Sequence, residues 1–208
     1  MYIPEKFKVD ERAEIVAMIR ACGLASVVTQ SAEGLIASPV PMIFAAEEGE
    51  HGVLYGHISK ANSQWKVSAP GGEALVIFQG LNTYVSPNWY PTKAETGRAV
   101  PTWNYVAVHV YGRVEFFEDR DRLLDVVSRL TNLHEAKQPH SWAVTDAPAE
   151  YIEGQLKAIV GIRIPITRIE AKKKLSQNQP EQNRVAVREV LSASERAEDR
   201  VIARIMEP

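Results

Sequence analysis

The sequence predicts a β-rich α+β protein, an antiparallel β-barrel with helices packed outside it, in a single domain over residues 1–208. Three observations predict it. Candidate elements run as a helix, many strands, helices, one late strand and helices again, so strand and helix do not alternate as in a parallel α/β sheet. Spacings between candidate strands are short and hairpin-like, which suits antiparallel pairing. No internal repeat or low-complexity linker divides the chain.

Each element has its own signal. Asp10 can cap a helix reaching Cys22, with Ile15, Met18 and Ile19 on one face and Gly23 as the stop. Residues 25–30 are a short valine-rich strand, and 31–34 a turn. Residues 35–44 are apolar but hold Pro39 and Pro41. Proline cannot donate to a sheet ladder, so this strand is bulged, at an edge, or paired on one side only. A polar turn at 47–52 precedes strands at 53–57, 74–79 and 81–86. Residues 87–102, PNWYPTKAETGRAVPT, form a long loop with three prolines. Val106, Val108 and Val110 alternate with His109, Tyr111 and Arg113, which predicts a strand over 105–117. Asp119 caps a helix to about Leu133, with Leu123, Leu124, Val127 and Leu130 at helical spacing. A second helix covers 149–156, a strand 159–169, and a C-terminal helical extension 181–205 with a break near Ser192.

Composition narrows function by exclusion. A content of 45% hydrophobic and 24% charged residues is that of an ordinary globular protein. A net charge of -2 argues against a generally basic nucleic-acid binder. Cys22 is the only cysteine, so no intrachain disulfide or cysteine zinc cluster is expected. No HExxH or other metal-ligand set stands out, and His134 and His140 read as surface residues. No apolar run reaches membrane-spanning length, and the N-terminus lacks a signal-peptide core, so a cytoplasmic protein is expected. GxGxxG, the P-loop and the GxSxG elbow are all absent.

Residues 54–65, LYGHISKANSQW, carry the strongest chemical signal. A strand ends there in His57, Ile58, Ser59, Lys60 and Asn62 and then opens a short helix. A fixed cation, short donors and backbone N–H groups at a helix start suit a phosphate dianion; the plain alternative is a solvated strand-to-helix turn. Tyr84, Trp89, Tyr90, Trp103 and Tyr105 crowd the following loop and its flanks. Such a loop packs on a ligand, on a partner subunit or on its own barrel. Together the two features suggest a phosphate joined to a flat ring system, which flavin mononucleotide (FMN) fits. Lys172, Lys173 and Lys174 in RIEAKKKLSQNQ are a solvated face, a nucleic-acid backbone contact or a second anion clamp.

Five segments spread from Met1 to Arg184 (MYIPEKF, GHISKANSQW, LNTYVSPNWYPTK, VPTWNY and KLSQNQPEQNR) resemble the PaiB family of FMN-binding negative transcriptional regulators. That resemblance implies an FMN-binding split barrel, with helices flanking it and a homodimer holding flavin at its interface. It implies that His57, Ile58, Ser59, Lys60 and Asn62 bind the FMN phosphate. Ser38, Pro39 and Val40 would supply backbone along the flavin ring. Trp103, Asn104 and Tyr105 would close the site from the other subunit, and Gln177 and Asn178 match a late family motif. Related pyridoxamine-phosphate oxidases carry a phosphate-binding Arg in the strand that here reads LIASPVPMIF, which has none. Either Lys60 carries more of that charge or a basic residue from elsewhere replaces the Arg. Two functions follow: a flavin-binding repressor, acting through DNA contact or indirectly through flavin redox state, or a flavin-dependent oxidoreductase or haem-handling enzyme with His109 and Tyr105 as the groups to watch. No acid–base pair names a substrate or a catalytic residue.

Overall fold

The computed structural model describes residues 1–206. Its elements are β1 (Lys8–Val9), α1 (Arg12–Ala21), β2 (Leu24–Ser31), β3 (Gly34–Pro41), β4 (Ile43–Ala45), β5 (Val53–Ser59), α2 (Gln64–Val67), β6 (Glu73–Val85), α3 (Thr92–Thr96), β7 (Thr102–Arg113), β8 (Glu115–Phe117), α4 (Arg120–Glu135), α5 (Ala149–Leu156), β9 (Ile159–Lys174), α6 (Glu181–Ser192) and α7 (Ala197–Ile205). The strands are ordered β3-β2-β6-β7-β9-β5-β4, with β1 and β8 also on β9. Every described register is antiparallel, as the short spacings predict. The fold is a β-rich α+β split barrel with flanking helices.

The chain packs as two compact units. The barrel unit holds Ile19–Phe78 and His109–Ile169. Its interior is made by strand positions of one parity, among them Val27, Val40, Leu54, Val76, Val110, Ile162 and Ile164. This is the two-residue period of a half-buried sheet. Outside, α4 lays Leu123, Val126 and Leu130 against Ile43, Phe117 and Leu156. The Asp119 side chain accepts from the Arg122 N–H at 2.9 Å, so the helix starts where the sequence predicts.

Among the described residues, the helical unit holds Met1–Met18, Gln79–Val108 and 170–206. Its core joins Val85, Tyr90 and Leu175 to Val187, Leu191 and Ile202 of the C-terminal helices and to Met206 just past them. Helices α6 and α7 are separate, with the predicted break after Ser192.

Four expectations need correction. The strands expected at 74–79 and 81–86 are one strand, β6. Gly80 does not break it. A Cβ there would sit 3.0 Å from the Val106 carbonyl oxygen, so the glycine lets β6 pass close to β7. The strand expected over 105–117 is two, β7 and β8, parted at Val114, whose N–H bonds the Gly72 carbonyl at 3.0 Å. Residues 87–102 are not an open loop: a 3-10 turn at Pro87–Trp89 leads into α3, which Gly97 ends in the left-handed region at φ 67°. The late strand runs on to Lys174, which draws the three lysines into the sheet.

Candidate functional site

In the barrel unit, β3 and the end of β5 meet. β3 ends one side of the sheet path, so Pro39 and Pro41 lie on an edge strand as their missing N–H groups require. Gly56 makes the meeting possible: a Cβ there would lie 2.6 Å from Met42 Sδ and 2.9 Å from the Pro41 carbonyl oxygen. Only a bare backbone lets β5 pass this close to residues 40–42. A hydrogen bond of 2.8 Å from Asn62 Nδ2 to Ser38 Oγ ties the turn after β5 to the same strand. Ser38, Val40, Ile58 and Asn62 are thus held in one corner, with Ser59 and Lys60 exposed at its rim and Pro39 on the exposed side of β3; the His57 side chain lies on the other face of β5, in the row of Gly161 and Phe117.

The corner is tightly wired. The Ser59 hydroxyl accepts from the Ala61 N–H at 3.2 Å, and the Ser59 carbonyl from the Asn62 N–H at 2.9 Å. The Lys60 N–H bonds the Ala158 carbonyl at 2.8 Å, and its ammonium pairs with the Glu118 carboxylate. Asn62 Oδ1 accepts from the Gln64 N–H at 2.9 Å, while the Ser63 carbonyl takes the Lys66 and Val67 N–H groups. This corrects one part of the expected cradle. α2 is four residues long and these N–H groups are already engaged, so its start offers phosphate little.

His57 differs from its neighbours. Its Nδ1 is buried with no hydrogen-bond partner. Burial also pushes its pKa below the ordinary 6.5, so the imidazole is neutral at physiological pH. An orphaned buried acceptor or donor costs free energy unless something meets it.

Two residues at the corner have no clear signal in the sequence. Glu118 is found only through the fold, which brings it to Lys60. Gln64 is buried and donates to the Val27 carbonyl at 3.0 Å and to Thr29 Oγ1 at 2.9 Å, fastening α2 to β2. An amide between a serine and a tryptophan is the only hint of it.

The remaining expected site residues lie in the helical unit. Asn104 is fully buried; its Oδ1 accepts from the Ser176 hydroxyl at 3.0 Å. Ser176 has φ 66°, the one positive φ outside glycine among the described residues. Gln177 is used locally, accepting from the Leu175 N–H at 2.6 Å and donating to the Lys173 carbonyl at 2.7 Å. Asn178 is exposed beside it. The late motif therefore builds the turn from β9 to α6. Trp103 is 52% exposed and meets Tyr84 edge to face at 6.0 Å, and Tyr105 lies half-buried 5.0 Å from the Lys172 ammonium.

The lysine run is not a free basic face. Lys172 is buried and donates to the Tyr2 carbonyl at 3.2 Å. Lys173 pairs with Glu14, and Lys174 donates to Thr102 Oγ1 and the Trp103 carbonyl. Burial pushes the Lys174 pKa down. Among the described residues no cluster could hold a metal, and no helix is long and apolar enough to cross a membrane.

The chain is similar to known proteins in sequence and in fold. Residues 1–168 match the family described as "Putative FMN-binding domain". Over 207 residues, all of this chain and 97% of the other, the sequence is 33% identical to "Protease synthase and sporulation protein PAI 2" of Bacillus subtilis (strain 168). Among solved structures, the FAD and heme binding protein from Mycobacterium smegmatis superposes with a TM-score of 0.61 at 15% identity, over 86% of this chain and 78% of that one. The flavocytochrome Anf3 from Azotobacter vinelandii gives 0.56 at 16%, over 81% and 69%. These two likenesses concern the fold.

Proposed function

This chain belongs to the FMN-binding domain family, with FMN as its cofactor, and on that premise we propose that it is a flavin-binding regulator of the PaiB type. The proposed FMN site is the corner between β3 and β5. The observation that carries this is the Asn62–Ser38 hydrogen bond beside Gly56, which holds the phosphate-type groups against an edge strand. Ser59 and Lys60 bind the phosphate from the exposed rim. The backbone of Ser38, Pro39 and Val40 runs along the ring.

The donor set fits the group. Lys60 is held by a half-exposed carboxylate, and such surface pairs are worth only about 0–1 kcal/mol. Lys60 would therefore exchange Glu118 for a phosphate dianion at small cost. Asn62 acts as a brace, since its amide already spans Ser38 and Gln64. Bound FMN supplies reversible electron uptake; the chain's part is to bind and orient it.

Regulation is supported by the name of the Bacillus subtilis relative. We place it at the flavin site, because all three ammonium groups of the lysine run are engaged within their own unit. A second reading, a flavin-dependent redox enzyme, is favoured by the neutral, unpartnered His57. Turnover of NAD(P)H by the flavin-loaded protein separates the two.

The test of the phosphate site is Lys60→Ala. Its FMN affinity should fall about ten- to a hundredfold, as expected for a charged hydrogen bond worth about 1.5–3 kcal/mol, with riboflavin affinity unchanged. Equal losses for both ligands would remove Lys60 from the phosphate.

A further inference from the structure

A second cavity lies in the barrel unit, at the kink between β3 and β4, with a volume of about 530 Å³. That is the size of a small-molecule site. Its floor is apolar: Ile19, Met42 and Phe44 are buried there, and Leu133 stands exposed at its side. Its rim is basic. Arg20, Arg129, His134 and Lys137 line it, and no carboxylate does. Arg129 is neutralised by Asp125 at 3.3 Å and Glu48 at 3.5 Å, but Arg20 and Lys137 form no ion pair among the described residues. Two uncompensated cations over an apolar floor stand out on a chain whose net charge is -2.

We propose that this cavity binds an oxyanion carried on an apolar body, of which a medium-chain carboxylate is the simplest case. The apolar chain lies on Met42 and Phe44, and the headgroup reaches Arg20 and Lys137. Arginine suits such a headgroup because its planar fork matches two oxygens at once. Charge complementarity sets the class: a cationic or neutral amphiphile of the same length gains the floor but not the rim. The cavity shares none of the proposed FMN contacts, although Met42 also packs on Gly56, and the proposal does not rest on the flavin corner.

Cys22 lines the cavity, is half-buried and is the only thiol in the chain, so its alkylation rate reports occupancy. The experiment follows maleimide labelling of the native protein while titrating decanoate, decanol or decyltrimethylammonium. Decanoate should slow labelling saturably, and the other two should do so only weakly. The Arg20→Gln, Lys137→Gln double variant, changed only at exposed side chains, should still fold and need about tenfold more decanoate for the same protection. Equal protection by decanol, or by decanoate in the double variant, would overturn the proposal, as would no protection at all. Protection by FMN would assign the cavity to the flavin site instead. Protection that appears without ligand and vanishes on dilution would assign it to a second copy of the chain.

Discussion

His57 is the residue whose environment and chemistry disagree most. Its Nδ1 is buried without a partner, and burial holds its pKa below 6.5. The unfolded chain therefore binds a proton more readily than the folded one. This penalty on the folded state is absent above pH 6.5 and grows as the pH falls from 6.5 towards the lower folded value. Urea unfolding of wild type and His57→Gln should give stabilities whose difference changes across that window and is flat above it. A difference independent of pH would mean that His57 titrates alike in both states. The residue's place at the strand end is readable in GHISKAN, but its orphaned nitrogen is not, because that depends on what β3 and β9 bring across.

At the scale of elements, glycines decide what periodicity leaves open. Gly80 and Gly56 look alike in sequence, each inside an apolar strand pattern. Both mark close approaches rather than strand ends, Gly80 to Val106 and Gly56 to Pro41 and Met42. That is why one long strand replaces the two expected around Gly80. A methyl at Gly56 has backbone and sulfur within 3 Å, so Gly56→Ala should cost about 1–3 kcal/mol in urea unfolding and weaken FMN binding as β3 moves off β5. Unchanged stability and affinity would show that the corner yields freely. Helix α4 tests local signals by contrast. Its cap and spacing are fully written in residues 119–133, and Asp119→Ala should cost about 1 kcal/mol with FMN affinity unaltered. The helix ends were legible because caps are local. The three lysines were not, because the strand that holds them is fixed by pairing of Lys172 and Ala171 with Lys8 and Val9, far away in sequence.

At the scale of the molecule, the barrel class followed from element order and spacing, and the phosphate-type segment from its residue types alone. What the sequence left open was which of those residues face a ligand. Asn62, Gln177 and Asn104 use their amides to build turns and braces, and contacts of that kind appear only once the chain is folded. The exposed Trp103 and Tyr84, paired edge to face, form aromatic surface of the type that partner subunits cover. With FMN present the protein should have the solution mass of a homodimer, and Trp103→Glu should shift it towards a monomer. A wild-type monomer at micromolar concentration would remove that reading. If the folded chain binds FMN, the flavin must stabilise it, as does any ligand that binds only the native state. The most direct measurement is the thermal unfolding midpoint of flavin-free protein titrated with FMN. The midpoint should rise progressively with concentration, and oxidised-flavin absorbance should travel with the protein through gel filtration. A midpoint that stays fixed at saturating FMN would contradict the account.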